Sequence, residues 1–141
     1  APTIGMEVRV QEDYGLKDFV RHVAGDIDHR CAYCYEHRLE GTAKYAAEHG
    51  FAAFTSTLLA STYQNHEAIA AAAEMYARQY GVEFLYRDFR SNFRAGNQRA
   101  RELGFYMQKY CGCVFSEADR YQKQIDRDRA KFDAEEAARQ G

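Results

Sequence analysis

Two apolar runs with a helical segment between them limit the possible folds of this chain more than any other feature. The runs are FAAFTSTLL, from residue 51, and VEFLYRDF, from residue 82. Both read as strands that are buried on both faces. The segment between them, YQNHEAIAAAAEMYARQYG, repeats apolar residues at helical spacing. This order of strand, helix and strand predicts a parallel pair of strands joined by a right-handed crossover.

The rest of the chain extends this pattern to a single α/β domain over residues 1–141. Residues 4–10 alternate apolar and polar side chains and predict an edge strand. Helices are predicted from residue 15, from about 31 to 49, around Ala100, Leu103, Met107 and Tyr110, and over a charged tail of about 116–140 that Ser116 caps. We expect a parallel sheet with helices on both faces. Three strands give only one position with a neighbour on each side, whereas the two buried strands need two such positions, so at least a fourth strand is required. We therefore also expect an unpaired strand edge that invites self-association or pairing with a second chain.

The four cysteines form two close pairs that lie far apart in the chain. Cys31 and Cys34 share one face at the start of a predicted helix, where the helix dipole favours thiolate. The glycine between Cys111 and Cys113 lets both sulfurs turn toward one point, whereas a disulfide between them would be strained. Four thiolates suit tetrahedral zinc or an iron–sulfur cluster, and the spacing does not decide between them. Structural thiols, a cross-segment disulfide and a redox CxxC are the alternatives.

Several polar residues are candidates for binding a ligand near these cysteines. Arg38 follows Cys34 by four residues and adds positive charge to the cysteine face. Thr55 and Thr57 come at the carboxyl end of the first apolar run, where parallel sheets bind ligands. Asn65 is a candidate hydrogen-bonding residue. Turn and cap roles explain the hydroxyl and amide residues equally well.

A basic segment interleaved with aromatic residues precedes the second cysteine pair. Residues 87–109 contain six basic and two acidic residues, a net +4 in a chain whose total is −2. Such a mixture suits phosphate contacts and base stacking, and an ordinary solvated helix face is the alternative. The candidates in this segment are Arg90, Arg94, Tyr106 and Gln108.

Composition excludes other classes of protein. The overall charge by itself indicates no nucleic-acid partner. No apolar run approaches the roughly 20 residues of a membrane span, so no membrane association is expected. No secretion leader opens the chain, and four cysteines in such a chain indicate a reducing compartment.

Three stretches taken together resemble the QueH type of epoxyqueuosine reductase. They are RCAYCYEHRLEGTAKYAAEHGFAAFTSTLLASTYQN, GVEFLYRDFR and FYMQKYCGCVFS, and the resemblance covers residues 12–116. It implies a cytoplasmic iron–sulfur enzyme that reduces the epoxide of epoxyqueuosine at the tRNA wobble position and so forms queuosine. It also implies an α/β fold similar to the nucleotide-binding HUP-like (PP-loop-like) class.

The resemblance also implies cofactors, partners and site residues. The cofactors are a four-iron four-sulfur cluster and, in addition, a mononuclear iron that acts as a Lewis acid; zinc is the alternative metal. The partners are tRNA carrying epoxyqueuosine and an unidentified electron donor. The implied metal ligands are Cys31, Cys34, Cys111 and Cys113. Other residues that match family stretches are Asp88, Arg90, Tyr106 and Gln108.

One departure from the family pattern concerns the beginning of the chain. The family carries a further vicinal-cysteine motif on its first strand, and nothing in this sequence matches it. We therefore expect this chain to begin after that strand and its helix, with one central strand and part of the metal site absent. A zinc-stabilised RNA-binding module without catalysis and an inactive truncated homologue are the competing hypotheses.

Overall fold

The structure, a computed structural model, describes residues 5–141 and is built mostly from helices. The helices are α1 (Leu16–Val23), α2 (Arg30–Glu48), α3 (His66–Tyr80), α4 (Phe93–Glu102) and α5 (Val114–Gln140). The strands are β1 (Ala53–Phe54) and β2 (Glu83–Phe84). Short 3-10 turns occur at Ile27–His29, Thr57–Ala60 and Arg90–Asn92.

The chain divides into two compact units, which are described separately. The first comprises Ala1–Leu59 and Tyr63–Arg87, and the second comprises Ala60–Thr62 and Asp88–Gly141. Helices α1 to α3 and both strands belong to the first unit, whereas α4 and α5 belong to the second. The expectation of a single α/β domain stays a prediction.

The parallel strand pair predicted from the two apolar runs is confirmed. Ala53 pairs with Glu83 and Phe54 with Phe84 in parallel register, and α3 forms the connection between the strands. Both strands are shorter than the apolar runs, and within residues 5–141 they pair only with each other. The expected burial on both faces is wrong, because the Leu85 side chain after β2 is 56% exposed. Each strand therefore keeps one edge that no other described strand covers.

The predicted edge strand over residues 4–10 is not observed. Residue 4 lies outside the described residues, and residues 6–15 have no regular secondary structure. The apolar side chains of its alternating pattern, Met6, Val8 and Val10, are 63%, 60% and 78% exposed. Alternation specifies a strand only where another strand pairs with the segment, and the described sheet contains only β1 and β2.

The core of the first unit lies mainly between α2 and α3. Leu39 of α2 and Ile69 of α3 are 1% and 0% exposed, and Leu59 from the preceding turn is also fully buried. The remaining buried side chains of α2 are Tyr35, Ala43 and Ala46. Thr42, one residue before Ala43, is exposed. The buried face of α2 thus excludes Cys31, Cys34 and Arg38.

The fourth and fifth helices differ from their predicted limits. Helix α4 ends at Glu102, so the apolar positions 103, 107 and 110 do not continue it. Gly104 adopts φ +70°, and the next residue's N–H donates to the Ala100 carbonyl at 2.9 Å, which closes the helix in a Schellman-type end. Helix α5 begins at Val114 after Cys113, so Ser116 lies inside it and is not its cap.

Helix α5 is long but highly charged. Its 27 residues include acidic and basic side chains throughout, and none of its side chains is buried.

Among residues 5–141, no helix has both the length and the apolar character that crossing a membrane requires.

The contact between Tyr80 and Glu40 predicts a loss of stability at alkaline pH. The Tyr80 hydroxyl donates to Glu40 Oε1 at 2.8 Å and joins α3 to α2. This hydrogen bond, with burial and the Glu40 charge, raises the pKa of Tyr80 above its usual value of 10.0. A raised pKa stabilises the fold below pH 10, and this contribution disappears as pH rises through the folded-state pKa.

We expect Tyr80→Phe to lower the urea midpoint at pH 8 and to have a smaller effect as pH rises above 10. The measurement is urea unfolding of both proteins by circular dichroism between pH 8 and pH 11. Tyr14→Phe is the matched control, because Tyr14 is 86% exposed. A Tyr80→Phe effect that stays constant across this range would contradict the assigned role of the hydrogen bond.

Candidate metal and substrate site

The first cysteine pair lies at the beginning of α2. The turn Ile27–His29 leads directly into the helix, and His29 occupies its N-cap position. Cys31 is exposed and Cys34 is half-buried. Cys31 lies in the first turn, where backbone N–H groups without helical partners and the helix dipole favour a thiolate, and Cys34 lies one turn later. The predicted position of CxxC at the start of a helix is confirmed.

A histidine paired with an aspartate lies beside this helix start. His29 Nδ1 lies 2.8 Å from Asp26 Oδ1. The hydrogen bond to Asp26, and then its negative charge, raise the pKa of His29 above 6.5. His29 is therefore protonated over a wider pH range than an isolated histidine, two residues before Cys31.

Aromatic stacking around Tyr33 is a feature that sequence reasoning missed. The Tyr33 ring stacks on His22 of α1 at 4.6 Å and on His37 of α2 at 5.7 Å between centroids. Phe19 of α1 makes a tilted contact with the same ring at 6.0 Å. The spacing of four between Tyr33 and His37 could have indicated their contact. The stack joins α1 to the part of α2 that carries CxxC.

The second cysteine pair lies in a tight turn that precedes α5. Gly112 adopts φ +91°, a conformation that favours glycine. A Cβ atom at this position would lie only 3.1 Å from the Gln108 Nε2 atom. Cys111 is exposed, and Cys113, at the N-cap position of α5, is half-buried. The backbone conformation of the turn therefore favours glycine, and the Gln108 side chain lies close to the open side of that residue.

An aromatic contact joins this turn to α5. The rings of Tyr110 and Tyr121 meet edge to face, with centroids 6.3 Å apart. Burial, followed by the charge of Glu117, raises the pKa of Tyr110 above 10.0. Tyr110 therefore stays a neutral phenol beside Cys111 at physiological pH.

The two pairs provide the donor chemistry of a thiolate metal site. All four cysteines are thiols rather than disulfides. Among residues 5–141, neither unit by itself groups three or more His, Cys, Asp or Glu side chains where they could hold a metal ion. Thiols are ligands that zinc and iron–sulfur clusters use, so the chemistry of these four side chains fits such a group. Convergence of the two pairs stays a prediction.

Asp88 and Arg90 form a bidentate ion pair in the second unit. Arg90 Nη2 lies 2.6 Å from Asp88 Oδ2, and Arg90 Nε lies 2.9 Å from Asp88 Oδ1. Asp88 Oδ1 also accepts the Arg90 backbone N–H at 3.0 Å. Asp88 thereby orients the Arg90 guanidinium. Arg94 of α4 is exposed, and Tyr106, after α4, is 85% exposed.

The remaining predicted ligand-binding residues lie in the first unit, and two of them have structural contacts. Thr55 Oγ1 donates to the Leu85 carbonyl at 2.9 Å and extends the pairing of β1 with β2. Asn65 caps α3 by accepting the Ala68 N–H at 3.1 Å. Thr57 begins a 3-10 turn, and Arg38 is an exposed residue of α2. The cap role kept open for such residues is thus observed for Asn65, whereas Thr55 bonds to the backbone after β2.

Comparisons with known proteins give one consistent family. The profile described as "Epoxyqueuosine reductase QueH" matches residues 1–119. The chain is 37% identical over 120 residues to the epoxyqueuosine reductase QueH of Dehalococcoides mccartyi, a match covering 85% of this chain and 66% of that protein. It is 38% identical over 104 residues to the Thermotoga maritima protein of the same name, covering 72% and 54% respectively. For the Streptococcus pyogenes protein the identity is 32% over 114 residues, covering 76% and 45%.

The matched region contains both cysteine pairs, and it ends inside α5. The chain spans between 45% and 66% of the length of these three relatives. A profile match over most of the chain and several relatives above 30% identity agree with the resemblance drawn from the cysteine motifs. The chain therefore belongs to the epoxyqueuosine reductase QueH family.

Proposed function

We propose that this protein is an epoxyqueuosine reductase that acts on tRNA and uses an iron–sulfur centre held by its four cysteines. The main support is the presence of two thiol pairs in the matched region, each with one exposed and one half-buried sulfur. A four-iron four-sulfur cluster bound there would supply electrons one at a time. A mononuclear iron in addition, an electron donor that awaits identification and a cytoplasmic location belong to the same proposal.

The reaction requires two electrons and two protons. The two C–O bonds of the epoxide break, a C=C bond forms between the two carbons, and the oxygen leaves as water. The residues of this chain hold the metal, orient the substrate and limit the access of water. Cys31 and Cys34 provide ligands from α2, and the turn at Cys111 and Cys113 provides ligands beside α5.

The decisive experiment is anaerobic purification followed by a single-turnover assay. We expect a brown protein that contains iron and sulfide and, after reduction with dithionite, converts epoxyqueuosine in tRNA to queuosine, detected by mass spectrometry of nucleosides. A colourless protein that contains zinc and binds tRNA without converting it would instead be the non-catalytic RNA-binding module.

We propose that the basic segment, residues 87–109, binds the phosphates of the tRNA substrate. Its support is an exposed Arg94, an Arg90 oriented by Asp88 and an exposed Tyr106 ring for base stacking. The charge of Arg90 is partly neutralised by Asp88, so we expect Arg94 to contribute more than Arg90 to the electrostatic part of tRNA binding.

We expect the double variant Arg90→Ala and Arg94→Ala to bind tRNA several-fold more weakly. The slope of log affinity against log salt should fall by roughly 1, since each single-stranded phosphate contact contributes about 0.7. Filter binding between about 50 and 200 mM salt measures both quantities. Arg127→Ala in α5 is the matched control. If the control and the double variant lose affinity equally, the basic segment is not the specific phosphate contact.

We further propose that the parallel pair β1 and β2 belongs to a sheet of the nucleotide-binding HUP-like class. The support is its parallel register with a helical crossover, together with an edge on each strand that no other described strand covers. Such an edge can pair with another strand, including one from a second chain.

A further inference from the structure

The side chain of Gln108 lies against the turn that carries Cys111 and Cys113. Its Nε2 atom is 3.1 Å from the point that a Cβ atom of residue 112 would occupy. This approach is possible because Gly112 has no side chain and adopts φ +91°. The amide therefore lies next to the residue that separates the two thiols.

A carboxamide offers two N–H donors at this position, whereas a metal-bound thiolate can only accept hydrogen bonds. Donors near ligating sulfurs withdraw electron density from them and hold their orientation. The Gln108 amide and the thiols of the turn are thus chemically matched as donor and acceptor.

We propose that Gln108 is a positioning residue for the metal ligands, whose amide donates hydrogen bonds to the thiolates of the Cys111–Gly112–Cys113 turn. The inference rests on the proposed function only in requiring that this turn holds a metal. It gives Gln108 a role in the metal centre that differs from the substrate contact expected from the sequence. Gly112 contributes by leaving space for the amide, since a Cβ atom there would lie 3.1 Å from Gln108 Nε2.

Three variants of the full chain test this role: Gln108→Leu, Gln108→Glu and the control Gln122→Leu. Gln122 is exposed on α5, where its amide donates to Asp126 at 2.8 Å, so it reports the cost of losing a surface amide bond. Leucine at 108 keeps the size and removes the donors. Glutamate keeps the shape and places a negative charge beside the thiolates.

The measurement is competition with a chelator for the metal that each anaerobically prepared protein contains. Loss of an outer hydrogen-bond partner typically lowers metal affinity 10- to 100-fold. We expect a loss in that range for Gln108→Leu, a loss at least as large for Gln108→Glu, and wild-type affinity for Gln122→Leu. A Gln108→Glu protein with wild-type metal affinity would overturn the proposal, because packing alone would then explain the contact.

Binding of tRNA by the same variants tests the alternative, in which Gln108 contacts the substrate and not the metal ligands. If the Gln108 variants keep their metal affinity and lose tRNA affinity, Gln108 is a substrate residue and the proposal is wrong. The identity of the metal in the wild-type chain tests the proposed function separately, because zinc would contradict the reductase while the same competition assay still tests Gln108.

Discussion

Replacing Cys34 or Cys111 by serine is expected to remove nearly all of the bound metal, although the two residues lie far apart in the chain. The chain has four cysteines in two pairs, so a four-thiolate site needs both pairs. Metal binding to such sites contributes on the order of 10 kcal/mol, and each missing thiolate removes a large share. We expect iron per chain to fall below about a tenth of the wild-type value, as measured by iron and sulfide analysis.

The informative comparison is between the two pairs. If the double variant at Cys31 and Cys34 retains its metal while the variant at Cys111 and Cys113 loses it, the site is not shared. Thr42→Ser on the exposed side of α2 is the matched control for a small polar change in this helix. Far-UV circular dichroism of every variant distinguishes loss of metal from loss of the fold, because none of the four cysteines belongs to the buried core.

The sequence predicts the helices of the first unit well because their side chains and end signals agree. Apolar spacing identifies α1 to α3, and Gly50 and Gly81 end α2 and α3 with φ of +73° and +70°. The parallel pairing of β1 with β2 follows from a helix between two apolar runs. In each case the residues that specify the feature lie within the segment that shows it.

Features that depend on a partner segment could not be predicted in the same way. The alternation over residues 6–10 describes two faces of a strand, but pairing needs another strand edge. The apolar positions after Glu102 look helical, yet Gly104 in a left-handed conformation ends α4 before them. The sequence alone does not show whether a glycine ends a helix or lies inside it. The hydrogen bonds at the helix end distinguish the two cases.

The candidate site shows the same division. The CxxC position on α2 and the need for glycine in the second turn follow from residue chemistry. The contact of Gln108 with that turn, and the stack on Tyr33, arise from side-chain directions that spacing alone specifies only in part. Thr55 and Asn65 illustrate the converse, because hydroxyl and amide groups bind ligands and backbone atoms equally well.

Replacing Leu39 by alanine is expected to cause a large loss of stability in the first unit. Leu39 is 1% exposed and belongs to α2, which packs mainly on α3 and also contacts β1. Removing a fully buried leucine side chain costs about 2–5 kcal/mol, because hydrophobic transfer energy is lost and a cavity remains. Urea unfolding followed by circular dichroism measures the change in the free energy of unfolding.

The matched control is Leu85→Ala, the same chemical change at a side chain that is 56% exposed. Its backbone N–H still donates to the Phe54 carbonyl at 2.9 Å, so the strand pairing is retained and the cost should be about 0.5 kcal/mol or less. Equal losses in the two variants would mean that the interface between α2 and α3 is not the stabilising core.

If the interface is that core, Leu39→Ala should also weaken metal binding, because a larger fraction of the chain is unfolded. Metal binds the folded chain and restores stability by mass action, so excess metal should recover the variant, whereas a variant that lacks a ligand cysteine should not recover.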